Sequence, residues 1–104
     1  MNHYYRLTVP TTIYDVPAQA DIVDAVRMEV KTAFAAAFGG YTETVGNGGY
    51  LADSGELIEE IVYAIEASYE EADDQLVWSL AGRIKTALSQ EAVIIRKDHE
   101  VHFV

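Results

Sequence analysis

The order of apolar and polar side chains predicts a strand at the start of the chain and a helix after it. In His3–Val9, mainly apolar residues at every second position alternate with more polar ones, and a period of two is that of a strand. From Ala18–Phe38, apolar residues instead recur every three or four positions, as on the buried stripe of an amphipathic helix. We expect this helix to open at Asp15 or Pro17 and to end at Gly39–Gly40.

The middle of the chain is less regular. Tyr41–Leu51 has the composition of a strand, and its glycines at 46, 48 and 49 predict a bulge or a mobile stretch within that strand. Asp53–Gly55 predicts a turn. The apolar residues of Glu56–Ser68 fit both period two and period 3.6, and we favour a strand because the turn before it would then close a hairpin.

A second amphipathic stripe follows, and the chain ends in short apolar runs. Ser68 and Glu71 have the spacing of a capping box, so we expect the second helix to begin there. Ala92–Arg96 and Val101–Val104 predict a terminal hairpin. The order strand, helix, hairpin, helix, terminal strands predicts an α+β fold. It is that of a ferredoxin-like split βαβ sandwich, an antiparallel sheet with two helices on one face, formed by residues 1–104 as a single domain.

Two short motifs support this order by resemblance. Asp53–Glu60 and Gln90–Ile94 are similar to segments of an uncharacterised family of small bacterial and phage proteins, and the resemblance extends over about residues 34–104. It implies a strand at Glu56–Ser68, a ferredoxin-like order and a mobile-element context. It carries no activity.

The charge balance narrows the classes of function. The 104 residues include 17 Asp and Glu against 7 Lys and Arg, a net charge of −10. Proteins that bind nucleic acid or anionic membranes directly need a cationic face, so we expect neither activity. There is no cysteine, no apolar run of 18 residues and no signal peptide, from which we expect a soluble, cytoplasmic protein.

The residues that usually carry chemistry form no recognisable motif. His99 and His102 lack the spacing of a helical metal pair, and no cysteine completes a zinc set. Gly46–Gly49 is followed by neither the lysine of a phosphate loop nor the third glycine of a dinucleotide fingerprint. No serine lies in a Gly-x-Ser-x-Gly elbow. We therefore expect no catalytic residue, no metal and no cofactor.

The acidic residues are concentrated in one block. Ten of them, and no Lys or Arg, lie between Thr32 and Gly82. Acids favour helix N-termini and aid solubility, which explains part of the block. An exposed acidic patch with aromatic anchors would also bind a basic protein surface. The residues that we assign to such a partner-binding surface are Glu56, Glu59, Glu60, Glu66, Glu70, Glu71, Asp73, Asp74, Tyr69 and Trp78.

These observations predict a small acidic, non-catalytic binding protein. The leading hypothesis is a phage or mobile-element inhibitor, of the anti-CRISPR or DNA-mimic kind, that blocks the basic nucleic-acid-binding surface of a host protein. One alternative is a small dimeric α+β enzyme or ligand-binding domain, with Tyr5, Tyr63, His3 and His102 around a pocket between sheet and helices. Another is a structural protein that forms a homodimer.

Overall fold

Five strands form one antiparallel sheet, and two helices pack on one of its faces. The computed structural model describes residues 3–13 and 16–104. The elements are β1 (Tyr4–Val9), β2 (Thr12–Ile13), β3 (Val16–Pro17), α1 (Ala20–Phe38), β4 (Thr42–Leu51), β5 (Leu57–Ser68), α2 (Asp74–Ala87), β6 (Ile94–Lys97) and β7 (Glu100–Phe103).

The main sheet has the strand order β4-β5-β1-β6-β7, and β2 pairs with β3 as a separate two-residue ribbon. Its first four strands have the order of a split βαβ sandwich, with β7 added at the edge beside β6. The predicted α+β fold is confirmed, as are the strand at the start, the strand that we favoured over a helix in the middle, and the terminal hairpin.

The core lies between the helices and one face of the sheet. Alternate residues of β1 (Tyr5, Leu7 and Val9) have no exposed surface, because they point at the helices. The stripe of α1 meets them with four buried side chains, and the stripe of α2 with four more. Burial of these apolar side chains is the main force that holds the helices on the sheet. Neither helix is long and apolar enough to cross a membrane, as far as the described residues go.

The predicted starts of both helices differ from the structure. The second helix begins at Asp74, not at Ser68, because Asp73 caps it by accepting a hydrogen bond from the Leu76 amide at 3.1 Å, while Ser68 is the last residue of β5. Helix α1 begins at Ala20, and Pro17 belongs to β3; the predicted start at Asp15 lies outside the described residues.

Strand β4 contains no bulge. Each of its ten residues has one partner on β5, and the glycines keep this register unbroken. A side chain at Gly48 would place its Cβ only 3.3 Å from Val62, and one at Gly49 would approach the Ile58 carbonyl at 3.1 Å. Glycine at these two positions therefore allows β4 to lie close to β5.

The hairpin of β4 and β5 projects beyond the rest of the sheet. Strand β1 pairs with β5 only as far as Tyr63, so Leu57–Val62 pair with Gly46–Leu51 alone. We call these two paired segments the arm. The molecule is elongated, with extents of 44, 28 and 21 Å. The arm forms one wall of the site described next.

Candidate functional site

A notch of about 490 Å³ lies where β1 ends and the arm continues. The arm forms one wall, the chain after β1 forms the second, and the turn between α2 and β6 forms the third. The residues that line this notch are Thr12, Tyr50, Leu51, Ala52, Asp53, Glu60, Ser89, Gln90, Glu91 and Ala92.

The Glu60 carboxylate lies in the notch and is held at both oxygens. One carboxylate oxygen accepts a hydrogen bond from the Thr11 amide, and the other accepts one from the Thr12 hydroxyl, each at 3.0 Å. Each oxygen has a second lone pair, so the carboxylate retains capacity for a ligand.

Tyr50 lies beside Glu60 on the same sheet face. Tyr50 is paired with Ile58, and Ile58 is two residues from Glu60 along β5, so all three share a face. Directly opposite Glu60 is Gly48, which has no side chain to fill the space. Tyr50 is 42% exposed, so its ring and hydroxyl are open to a ligand.

The third wall is fixed by one glutamine. The Gln90 amide nitrogen donates to the Thr12 carbonyl and to the Leu88 carbonyl, both at 2.8 Å. The preceding residue, Ser89, has a φ of 49°, a left-handed conformation that non-glycine residues seldom adopt. Such a turn persists where surrounding contacts determine it.

The notch is electronegative. Three carboxylates line it (Asp53, Glu60 and Glu91), and none of the described residues that line it is basic. Carboxylates that face one cavity attract a cation and repel a phosphate or a nucleic-acid backbone. The volume and charge therefore suit a small organic cation that carries an apolar or aromatic group.

A second polar cluster lies at the opposite end of β1 and is closed on itself. The Tyr5 hydroxyl donates to the Asp74 carboxylate and accepts from the Asp73 amide at 3.0 Å, and the Lys97 ammonium lies 3.0 Å from Asp74. Burial, and then the bond to Asp74, raise the pKa of Tyr5 well above its ordinary value. The same bond lowers the pKa of Asp74. These groups satisfy one another, which is typical of a structural network.

The structure disperses the residues that we assigned to a partner surface. Only Glu60 lines the notch. Glu66 pairs with Arg6 at 2.9 Å, Asp74 pairs with Lys97, and Asp73 caps α2. The remaining acids of the set are exposed; they are Glu56, Glu59, Glu70 and Glu71.

The two aromatic anchors of that set are engaged within the fold. Tyr69 stacks on Tyr5 with ring centroids 4.6 Å apart, and Trp78 meets His102 edge-on at 5.1 Å. Along β5, Glu60 and Ser68 are about 26 Å apart at the usual rise per residue. The acids near the two ends of β5 are therefore far apart, and Glu66, which lies between them, is paired with Arg6.

The predicted pocket between sheet and helices is filled. Tyr5 is part of the core, the Arg27 guanidinium lies 3.7 Å over the Tyr63 ring, and His102 packs on Trp78. His3 is exposed at the surface. None of these four residues lines the notch at the arm.

Several residues of the notch were missed by sequence reasoning. Thr12 belongs to no motif, and Gln90 and Glu91 begin a motif whose family resemblance carries no activity. Only the folded chain brings the three residues near the arm. The hairpin register offered one signal, since it places Tyr50 and Glu60 on the same face once β4 is known to be continuous.

Comparison with known proteins identifies the fold. No protein-family model matches the chain, and no curated protein matches its sequence. A phage SAM lyase in complex with S-methyl-5′-thioadenosine has the same fold, with a TM-score of 0.70 and 20% identity over 99% of this chain and 89% of that one. A phage SAM lyase in the apo state gives a TM-score of 0.67 and 19% identity, over 99% of this chain and 88% of that one.

These neighbours overturn the leading hypothesis from the sequence. A lyase is an enzyme, and its fold is matched over the whole of this chain. The prediction of a non-catalytic, anti-CRISPR-like or nucleic-acid-mimicking inhibitor is therefore wrong. Net charge and the lack of a motif misled it, because the three carboxylates of the notch are brought together only by folding.

Proposed function

We propose that this protein is an enzyme that cleaves S-adenosylmethionine (SAM) and releases S-methyl-5′-thioadenosine, with the notch as its active site. The observation that supports this most is the match of the whole chain to a phage SAM lyase that carries that nucleoside. This proposal agrees with one alternative from the sequence, a small α+β enzyme.

The reaction has simple requirements. The bond between the sulfonium sulfur and the γ-carbon of the methionine-derived chain breaks, and its electron pair stays on sulfur, which becomes the neutral thioether of S-methyl-5′-thioadenosine. A lyase adds no water. The four-carbon fragment therefore either closes its own carboxylate onto the γ-carbon or loses a β-proton to form a double bond.

The leaving group needs no proton, because a neutral thioether departs unaided. A general acid is therefore unnecessary, and if the substrate's carboxylate closes the ring, the protein's tasks are to bind the cation, to hold its chain in a reactive shape and to exclude water. If a double bond forms instead, a carboxylate of the notch also accepts the β-proton. This agrees with a site whose described lining residues include no histidine and no lysine.

The notch has groups suited to these tasks. SAM carries a sulfonium and an ammonium against one carboxylate, a net charge of +1, and the carboxylates of Asp53, Glu60 and Glu91 attract it. The exposed Tyr50 ring offers a face to the adenine or to the sulfonium. The product is neutral and loses the net electrostatic attraction, which favours its release.

The test is a direct assay of the purified chain. Incubation with SAM should yield S-methyl-5′-thioadenosine, measured by liquid chromatography and mass spectrometry. In H₂¹⁸O, a lyase leaves no ¹⁸O on the γ-carbon of the other product, whereas a hydrolase places it there.

A matched pair of variants locates the reaction. Glu60→Gln removes the notch carboxylate and should raise the KM for SAM at least about tenfold, the size expected for loss of a charge-assisted contact. Glu66→Gln is the control, because Glu66 lies on the same strand and face but pairs with Arg6. No product from the wild type would refute the activity. Equal effects of the two variants would refute the location.

A further inference from the structure

We propose that Thr12 is a positioning residue for the site, which connects Glu60 on the arm to Gln90 in the turn after α2. This inference rests on the proposed function, since it assigns a role in holding the carboxylate that binds SAM. Thr12 acts through Glu60, in contrast to a catalytic residue that touches the reacting atoms.

Two bonds of Thr12 point in different directions. Its hydroxyl donates to one Glu60 carboxylate oxygen at 3.0 Å, and its carbonyl accepts from the Gln90 side chain at 2.8 Å. Thr12 lies 48 residues from Glu60 and 78 residues from Gln90 along the chain. One residue therefore ties together the three walls of the notch.

Glu60 needs such support because of where it lies. Val62 and its neighbours toward the arm tip pair with β4 alone, so β1 does not hold the arm at Glu60. A glutamate side chain also has several rotatable bonds, whose freedom must be lost when a ligand binds. Two donors that hold both carboxylate oxygens remove that freedom beforehand, which is the benefit of preorganisation.

The backbone amide of Thr11 contributes the other bond to Glu60, and it is present whatever the side chain at position 12. Removal of the Thr12 hydroxyl therefore leaves one oxygen held and frees the other. The Thr12 carbonyl still accepts from Gln90, so the turn stays in place. The substitution is thus selective for the orientation of the Glu60 carboxylate.

Thr12→Val and Thr12→Ser separate this role from a packing role. Valine has nearly the shape of threonine and suits the short strand β2, but it lacks the hydroxyl. We expect Thr12→Val to raise the KM for SAM about tenfold with little change in kcat, the effect of losing a hydrogen bond to a charged group. Thr12→Ser, which keeps the hydroxyl, should restore most of the affinity.

Thr44→Val is the matched control. Thr44 is an exposed residue of β4 opposite Ala64, away from the notch, and the same hydroxyl is removed from a strand. It should leave both kcat and KM unchanged. A variant that merely lost folded protein would show a lower kcat at an unchanged KM, and a lower melting temperature.

A double-mutant cycle makes the result independent of activity. Thr12→Val, Glu60→Gln and the double variant are compared by urea denaturation. Because a hydrogen bond joins the two side chains, we expect their effects on the free energy of unfolding not to be additive. Additive stability effects, an unchanged KM in Thr12→Val, or no rescue by serine would each overturn the proposal. If the wild type releases no S-methyl-5′-thioadenosine but the two stability effects are still non-additive, the proposed function is refuted. The Thr12–Glu60 hydrogen bond then has no role in SAM binding.

Discussion

Replacing Glu43 by glutamine measures how much the ion pair between the base of the β4–β5 hairpin and α1 contributes to stability. The Glu43 carboxylate accepts two hydrogen bonds from the Arg27 guanidinium, at 2.8 and 2.9 Å, and Arg27 also lies 3.7 Å over the Tyr63 ring. Both charged side chains are largely buried, at 18% and 16% exposure. The hydrogen bonds from Arg27 lower the pKa of Glu43 below its ordinary value of 4.5.

The expected loss follows from this geometry. Breaking a fully buried pair on one side costs about 3–5 kcal/mol. Residual solvent contact and the second partner of Arg27, the Asp24 carboxylate at 2.8 Å, reduce the estimate here to about 2–3 kcal/mol. For a domain of this size, that loss lowers the melting temperature by about 10–15 °C. Thermal unfolding followed by circular dichroism, with urea denaturation at 25 °C, measures both quantities.

The pH dependence provides a second check. A carboxylate whose pKa is lower in the folded state stabilises the protein above its unfolded pKa, and this contribution is lost as the pH falls through the folded value. The difference in stability between wild type and Glu43→Gln should therefore be full at pH 7 and shrink below about pH 4.5.

Glu29→Gln is the matched control. Glu29 pairs with Arg83 on the surface, with 41% and 66% of the side chains exposed, so its removal should cost less than about 0.5 kcal/mol. The reasoning fails if Glu43→Gln and Glu29→Gln destabilise the protein equally. It also fails if the effect of Glu43→Gln is the same at pH 3 and pH 7.

Two further outcomes are expected. Tyr5→Phe removes the donor to Asp74 and the acceptor for the Asp73 amide, so the free energy of unfolding from urea titration should fall by about 1–2 kcal/mol; an unchanged value would contradict a role in stability. Raising the salt concentration from about 0.05 to 0.5 M should increase the KM for SAM severalfold while kcat changes little, because screening weakens the attraction of the notch carboxylates for a cation. A salt-independent KM, measured by initial rates, would argue against that attraction.

The sequence predicts the fold better than it predicts the site, for a physical reason. Periodicity reports which face of an element is buried, so β1, β5 and both helical stripes could be recognised from the order of side chains. The start of α2 was misjudged because Ser68 and Asp73 are both good caps, and only the length of β5 decides between them.

The site depends on contacts that no local pattern records. Thr12, Glu60 and Gln90 come from a short strand, a long hairpin and a turn, and they meet because β1 ends where the hairpin continues. The concentration of acids between Thr32 and Gly82 is real in the sequence, but folding distributes it between a capping residue, ion pairs, exposed positions and the notch.

The projecting arm and the rest of the molecule differ in their stability against local unfolding. A two-stranded ribbon has little stability of its own, so local opening of the arm costs much less than unfolding the core beneath the helices. Its backbone amides should exchange with deuterium well before those of Leu7 or Ile65, which lie in the centre of the sheet. We therefore expect substitutions in Gly46–Leu51 and Leu57–Val62 to change the shape of this wall of the notch with little effect on the free energy of global unfolding. In this fold, the shape of the notch can therefore evolve with little change in the stability of the core.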